Sequence, residues 1–343
     1  MGVELIYLSQ EDVLATNVGM KEILHEVEKM FGNYDRGEVN LPSKVILDLG
    51  EFERGRINAM PAYIGGDYNI CGIKWIGGFP GNPRKYNLPR ASALIILNDA
   101  DNGFPLAVMD GTYISAMRTG ASTGVGAKYL ARQDSASVCM IGCGPQAQTQ
   151  IMALQQVLPH LEDVRLYDLS REIAETLAEL VENKFKLKAL VVNSAEEAVR
   201  GADVIVTATV ADEPIVKDEW LKDGYFFSHV GSFQEEEELV VQNADKIIPD
   251  VWEEVLHRRT PLIARMYLEG TLKKEKIYAD IGALVNGKKP GRESDRERIY
   301  YSPIGVGSAD VAVAYRVYQK AKEMELGKTI KLWDKPIFGG GLK

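Results

Sequence analysis

The 343-residue chain is predicted to be an α/β protein, with a doubly wound parallel-sheet (Rossmann) domain joined to a smaller α+β domain. Three observations predict this. Residues 136–250 alternate apolar strand-like runs with helical stretches, and residues 41–109 hold short β-rich runs broken by Gly, Pro and Asn. Near the start of the first of these stretches "MIGCGPQAQ", residues 140–148, links a buried strand to a helix through a glycine turn. The length exceeds one ordinary core, so two packed units are expected.

The chain opens with a short strand, "ELIYL". Ser9 then caps a helix, with Asp12 three residues on to complete the box, and that helix is expected to run to about Tyr34. "KVILDL", "RINAMPAYI", "ICGIKWI" and "ASALIILND" read as a mostly antiparallel sheet. In "DGTYISAMRTGASTGVGAKYLAR" the period lengthens to helical, with Ile114, Met117, Ala121 and Val125 on one face. The βα alternation follows: "SVCMIG", helix 146–157, "VRLYD", helix 171–184, "ALVVN", helix 195–200, "DVIVTAT", helix 218–222, "YFFSHVG", helix 237–243 and "KIIPD". Strands this apolar are covered by helices on both faces. A last strand near 299 leads to a long helix from about Ala309, expected to return to the first domain.

The net charge of −9, without any Lys/Arg stripe, argues against a nucleic-acid partner. No apolar run approaches the roughly 20 residues that span a bilayer, and the N-terminus lacks the pattern of a signal peptide. Residue 6 is Ile, where a myristoylation signal calls for Ser or Thr. A cytoplasmic protein is therefore expected. Cys71, Cys139 and Cys143 read as reduced and structural, and the scattered histidines His25, His160, His229 and His257 outline neither a metal site nor a triad.

The turn fits G-x-G-x-x-G/A. Gly142 makes the bend, Gly144 lets a pyrophosphate approach the backbone, and Ala147 packs the helix on the strand. The helix start at Pro145 and Gln146 offers free N–H groups to phosphate. Asp168 ends the next strand about 20 residues past the turn, as a ribose-binding acid does, followed by Leu169, Ser170 and Arg171. Its charge favours NAD, while Arg171 leaves NADP open. Thr207, Ala208 and Thr209 end another strand, where ligand crevices form, and Gly231 and Ser232 lie in the loop after the next one.

Taken in order, "GIKWIGGFPGNP", "RASALIILNDADNGFPLAVMDGTYISAMRTGAST", "IGCGPQAQTQ", "DIGALVNGKKPGRES" and "GVGSADVAVAYRVYQKA" resemble the ornithine cyclodeaminase and mu-crystallin family over nearly the whole chain. Within it they resemble most the branch containing the dehydrogenase of 2,3-diaminopropionate biosynthesis, which oxidises a secondary amine, N-(2-amino-2-carboxyethyl)-glutamate, with NAD. The resemblance implies a substrate-binding and dimerising domain, 1–125, completed by 305–343, and a dinucleotide-binding domain, 126–304. A homodimer is implied with it.

The family's substrate lysine falls on Lys74 and its carboxylate-gripping arginine on Arg118. As lone residues both would ordinarily be solvent-exposed charges, a reading that the accompanying motifs weaken. An early family arginine is replaced by Lys44, and a pocket hydroxyl falls on Ser92. Arg90, two residues earlier, reads as a ligand for a second carboxylate or as half of a surface salt bridge. Asp310 matches a family aspartate and either reaches the active site or caps the last helix. Cyclodeaminases carry an aspartate where this chain has Ser232, and a serine is no carboxylate base. The acids Glu235 to Glu238 read as a solvated loop and helix start. The expected activity is therefore NAD(P)-linked amine/imine hydride transfer on an amino acid or opine-like secondary amine. Redox-neutral cyclodeamination of ornithine and non-catalytic, crystallin-like binding of NAD(P)H are the alternatives.

Overall fold

The computed structural model describes residues 2–49, 55–231 and 233–335. It divides into two compact units. One comprises Met1–Glu26, Arg36–Ser115 and Val306–Lys343; the other comprises Val27–Asp35 and Ala116–Gly305.

The first unit is built on an eight-stranded mixed sheet. Its strands lie in the order Lys328–Trp333, Val3–Leu8, Pro105–Asp110, Ala91–Asp99, Ile70–Gly78, Arg56–Ile64, Val39–Asn40, with Val45–Asp48 also pairing with Arg56–Ile64. The last helix, Gly307–Glu323, lies on one face: a Cβ on Gly307 would meet the Met60 carbonyl at 2.7 Å, and one on Gly72 would meet Val311 at 3.0 Å. Strand alternation sorts the two faces. Ile70, Gly72 and Lys74 are buried, while Trp75, Leu94 and Ile96 are exposed.

The second unit carries a seven-stranded sheet, parallel throughout. Its order is Lys188–Val191, Asp163–Tyr167, Ser137–Ile141, Val204–Thr207, Phe226–His229, Ile299–Ser302, Lys246–Pro249. From the central strand Ser137–Ile141 the chain moves outward on one side and then resumes on the other. The switch point of a Rossmann fold therefore lies at the turn after Ile141. Every residue of that strand is buried, as helices on both faces require.

Local expectations fare unevenly. The Ser9/Asp12 capping box forms, with the Asp12 N–H donating to the Ser9 hydroxyl at 3.3 Å and the Ser9 N–H to the Asp12 carboxylate at 2.9 Å. The helix it opens ends at Ala15, however, and a second helix spans Met20–Asp35. Asn17, at φ +55°, turns the chain between them in the left-handed region that asparagine tolerates. Ile114, Met117, Ala121 and Val125 are all buried along the helix Thr112–Leu130. The helix expected over 218–222 is a single 3₁₀ turn, Asp218–Trp220. A strand at Lys328–Trp333, beyond the elements expected, pairs antiparallel with Val3–Leu8.

Candidate functional site

In the second unit, the turn after Ile141 has the shape a dinucleotide needs. Gly142 sits at φ +88°, and a Cβ there would strike the Ala208 carbonyl at 2.8 Å, so only glycine fits without strain. A Cβ on Gly144 would meet nothing within 4 Å and would instead fill the open space at the start of the helix Pro145–Val157. Pro145 occupies the first turn, where a missing N–H costs nothing. The Gly144 N-cap offers no side-chain hydrogen bond; the Ala147 N–H donates to the Gly144 carbonyl at 2.9 Å, which leaves the Gln146 N–H of the first turn for an anion. Ala147 is fully buried under this turn.

Asp168 is tied to the same turn. Its carboxylate accepts from the Cys143 N–H at 2.8 Å and the Ser170 N–H at 2.9 Å. Those bonds fix its orientation beside the cradle and leave acceptor capacity on both oxygens. Leu169 is 95% exposed. Arg171 is held by Glu175 at 2.8 Å and Asn193 at 3.0 Å, so its guanidinium is already engaged by its own unit. Thr207 and Ala208 border the turn, since the Ala208 N–H donates to the Ile141 carbonyl. Gly231 joins them through its N–H to the Thr207 carbonyl at 3.2 Å. Ser232 lies outside the described residues.

The run Glu235–Glu238 departs from the expectation of a solvated loop. Glu235 and Glu236 are completely buried, because partners are waiting for both. Glu235 accepts from the Thr209 N–H at 2.6 Å and from the Thr209 hydroxyl. Glu236 lies 2.9 Å from His229 Nδ1 and accepts from the Tyr300 hydroxyl at 2.5 Å. Burial alone would lower the His229 pKa, but the Glu236 carboxylate overrides it and pushes it up to about 9, so the ring is an imidazolium at neutral pH. Two buried carboxylates thus pin the strand ends beside the cradle. Of the four glutamates in this run, Glu237 and Glu238 behave as the sequence suggested: Glu237 is the N-cap residue and Glu238 begins the helix Glu238–Gln242.

In the first unit, Lys74 is 1% exposed, not a solvent-facing charge. Its ammonium stands 2.7 Å from the Asp310 carboxylate, which is wholly buried, and donates to the Ser115 hydroxyl at 3.0 Å. Asp310 is in the first turn of Gly307–Glu323, but Val306 is the N-cap and takes no side-chain bond, so Asp310 serves the lysine and not the helix end. Lys44 is buried as well. It precedes Val45, which pairs with Ala59, next to the Met60 that pairs with Lys74. Sequence reading missed Ser115. Its one signal was a place three residues before Arg118, on the same helix face.

Ser92 does not join this cluster. It pairs with Gly77, and the odd spacing from Lys74 puts it on the opposite face of the sheet, exposed alongside Trp75 and Leu94. Arg90 precedes the strand Ala91–Asp99 rather than lying within it; its carbonyl accepts from the Phe79 N–H and its side chain is exposed. Arg118, assigned to the second unit, is 7% exposed and packs against Gly305, where a Cβ would fall 2.3 Å from the guanidinium. Gly305, at φ +75°, is in turn fixed by its N–H to the Asp250 carboxylate at 2.8 Å.

Comparison with known proteins gives a consistent answer. An N-((2S)-2-amino-2-carboxyethyl)-L-glutamate dehydrogenase of Staphylococcus aureus is 37% identical over 81% of this chain and 82% of its own length. The structure of an archaeal alanine dehydrogenase dimer with bound NAD superposes with a TM-score of 0.87 at 38% identity, covering 96% of this chain and 100% of that one. That of Thermococcus litoralis Δ1-pyrroline-2-carboxylate reductase with NADH and L-proline gives 0.88 at 34%, covering 95% and 100%. All three act on amino acids or cyclic imino acids. The model of the ornithine cyclodeaminase/mu-crystallin family matches residues 4–325, and the chain belongs to that family.

Proposed function

We propose that this protein is an NAD-dependent oxidoreductase acting on the CH–NH group of an amino acid or opine-like secondary amine, a homodimer of the cytoplasm. In this reading the first unit binds substrate and dimerises, and the second holds the dinucleotide. The observation that carries the chemistry is the buried Lys74–Asp310 pair with Ser115. A charge this deep is costly unless it is used or paired, and here one ammonium is held in place by an acceptor on each of two other segments. The residues of the second unit fit a dinucleotide, with the open space at Gly144, the Gln146 N–H at the helix start and an oriented Asp168. The engagement of Arg171 by Glu175 and Asn193 supports NAD over NADP.

When bound, NAD supplies the hydride acceptor or donor. The chain's own groups do the rest. Lys74, with Lys44, binds the substrate carboxylate, and the Arg118 guanidinium has the two-point geometry that suits a carboxylate. Removing hydride from an amine carbon requires a neutral amine. Lys74 Nζ, in contact with Asp310 Oδ2, is the relay for that proton. Ser115 holds the ammonium on line. Dimerisation through the outward face of the first sheet suits its exposed Trp75, Leu94 and Ile96, and the archaeal relative is a dimer. Among the described residues no helix is long and apolar enough to cross a membrane.

The test is an NAD- and NADP-linked screen over amino acids, secondary amines and cyclic imines, read by absorbance and product mass. Steady NADH accumulation with an amine, and no proline from ornithine, is the expected result. Ammonia and proline from ornithine without net NADH would replace this reading with cyclodeamination, and NAD(H) binding without turnover across the panel would replace it with a binding role.

A further inference from the structure

In the proposed reading, Asp168 takes the adenosine ribose and the turn after Ile141 takes the pyrophosphate. Asp168 follows the strand Asp163–Tyr167, which lies on one side of Ser137–Ile141; Val204–Thr207 and Phe226–His229 lie on the other. The loops leaving those two strands therefore border the half of the crevice left for the nicotinamide and its ribose. Glu235 touches both loops.

The segment 208–216 leaves the sheet after Thr207 and comes back at Val216, which bridges to Glu236. At its start, the Thr209 N–H donates to Glu235 Oε1 at 2.6 Å, and the Thr209 hydroxyl donates to the same oxygen. That hydroxyl also accepts from the Ala211 N–H at 3.0 Å. At its end, the Ile215 and Val216 N–H groups donate to the Glu235 carbonyl at 2.8 and 3.1 Å. One residue thus clasps both ends of the excursion. Thr209 in turn lies against the glycine turn, since a Cβ on Gly142 would fall 2.9 Å from its methyl group. On the second loop, a Cβ on Gly231 would strike the Glu235 carboxylate. The carboxylate is completely buried, and its Oε2 accepts no hydrogen bond, standing 3.9 Å from His229 Nε2. An apolar side chain would fill this place without the cost of burying a charge, so the bonds to Thr209 are what the carboxylate adds.

We propose that Glu235 is a positioning residue for the nicotinamide half of the dinucleotide, fixing Thr209, and through it the path of 208–216, as the wall of the cleft beside the glycine turn. Resting on the reading of an NAD-dependent enzyme, this adds a residue that acts through Thr209 rather than on the cofactor itself. A wall fixed in advance spares the ordering cost that a loose segment would incur when the ring docks. The adenosine half, on the far side of the central strand, is indifferent to it.

Calorimetric titration of the full-length protein with NADH and with ADP tests this, because ADP carries the adenosine half and lacks the nicotinamide riboside. Glu235→Ala should weaken NADH binding by about 10-fold and leave ADP binding within about twofold. Glu235→Gln keeps an acceptor for Thr209 and should bind NADH within about threefold of the wild type. The main-chain bonds from Ile215 and Val216 remain available in every variant. Adding Thr209→Val to Glu235→Ala should weaken NADH no further, since the two residues act as one unit. A purely structural role would lower the melting temperature and leave the NADH-to-ADP comparison unmoved. Equal loss of both ligands, loss of neither, a Gln variant as weak as Ala, or a double variant weaker than the single one overturns the assignment. Where Glu235→Ala fails to fold, Thr209→Val decides by the same comparison, with a loss of about threefold expected for NADH alone. A wild type that binds neither NADH nor ADP would sink the dinucleotide reading itself, so the two failures are distinguishable.

Discussion

At the turn 142–147 the groups offered to a ligand are backbone amides, set by two glycines, a proline and a helix start that are contiguous in sequence. Around Lys74 they are side chains from a strand, a helix and a second helix, with Ser115 lying 41 residues from the lysine and Asp310 farther still. The first kind of site tolerates any side chain that keeps the backbone path and the open space. The second depends on each side chain being matched by the others, because a buried charge with a missing partner has nothing else to turn to. Substitutions in the cradle should therefore separate binding from folding, whereas substitutions in the cluster should damage both.

The largest effect is expected at Lys74. Lys74→Met should lower kcat/KM by about 10²–10⁴-fold and, by stranding the Asp310 carboxylate, destabilise the fold by about 3–5 kcal/mol. Lys74→Met combined with Asp310→Asn should recover much of the stability and none of the activity. Denaturant melts alongside steady-state rates check both halves, and a single variant that retained full turnover would break the contrast between the two sites.

Next come the two glycines, which should part company. Gly144→Val should leave the melting temperature nearly unchanged and weaken NAD binding by about 2 kcal/mol, some 30-fold, since its side chain enters only open space. Gly142→Ala should instead destabilise by about 1–3 kcal/mol through backbone strain at φ +88° and the contact with Ala208. Calorimetric titration with NAD and thermal melts of both variants separate the effects. Equal behaviour of the two would mean that the turn is not a cradle.

The smallest effect sharpens the comparison from the side of pH. The folded-state pKa of His229, about 9, lies above the ordinary histidine value near 6.5. The stabilisation from its pairing with Glu236 is therefore fully present below about pH 6.5 and is lost as pH rises through about 9. Melting temperatures measured between about pH 6 and pH 10 should fall more steeply in the wild type than in Glu236→Gln, which lacks the partner charge. Parallel curves would remove the imidazolium from the account.

Much of the architecture was legible because its signals are local. The βα alternation, the capping box at Ser9 and the glycine turn each depend on residues within a few positions of one another. Where reading along the chain failed, a distant partner or a backbone angle had intervened. Four consecutive glutamates announce solvent, yet two of them are buried because Thr209, His229 and Tyr300 arrive from other strands and loops. The break at Asn17 rests on one residue adopting a positive φ. Ser92 was assigned a place by motif, and its pairing with Gly77 put it on the other face from Lys74.

Sequence by itself determined the family, the two sheets and the nucleotide turn, since hydrophobic period and glycine placement act over short distances and survive without knowledge of what packs where. Only the tertiary structure decided that Lys74 is buried against Asp310 and that Ser115 belongs with them. Those facts depend on strand register and on helix start points, where a shift of one residue exchanges the buried face for the exposed one.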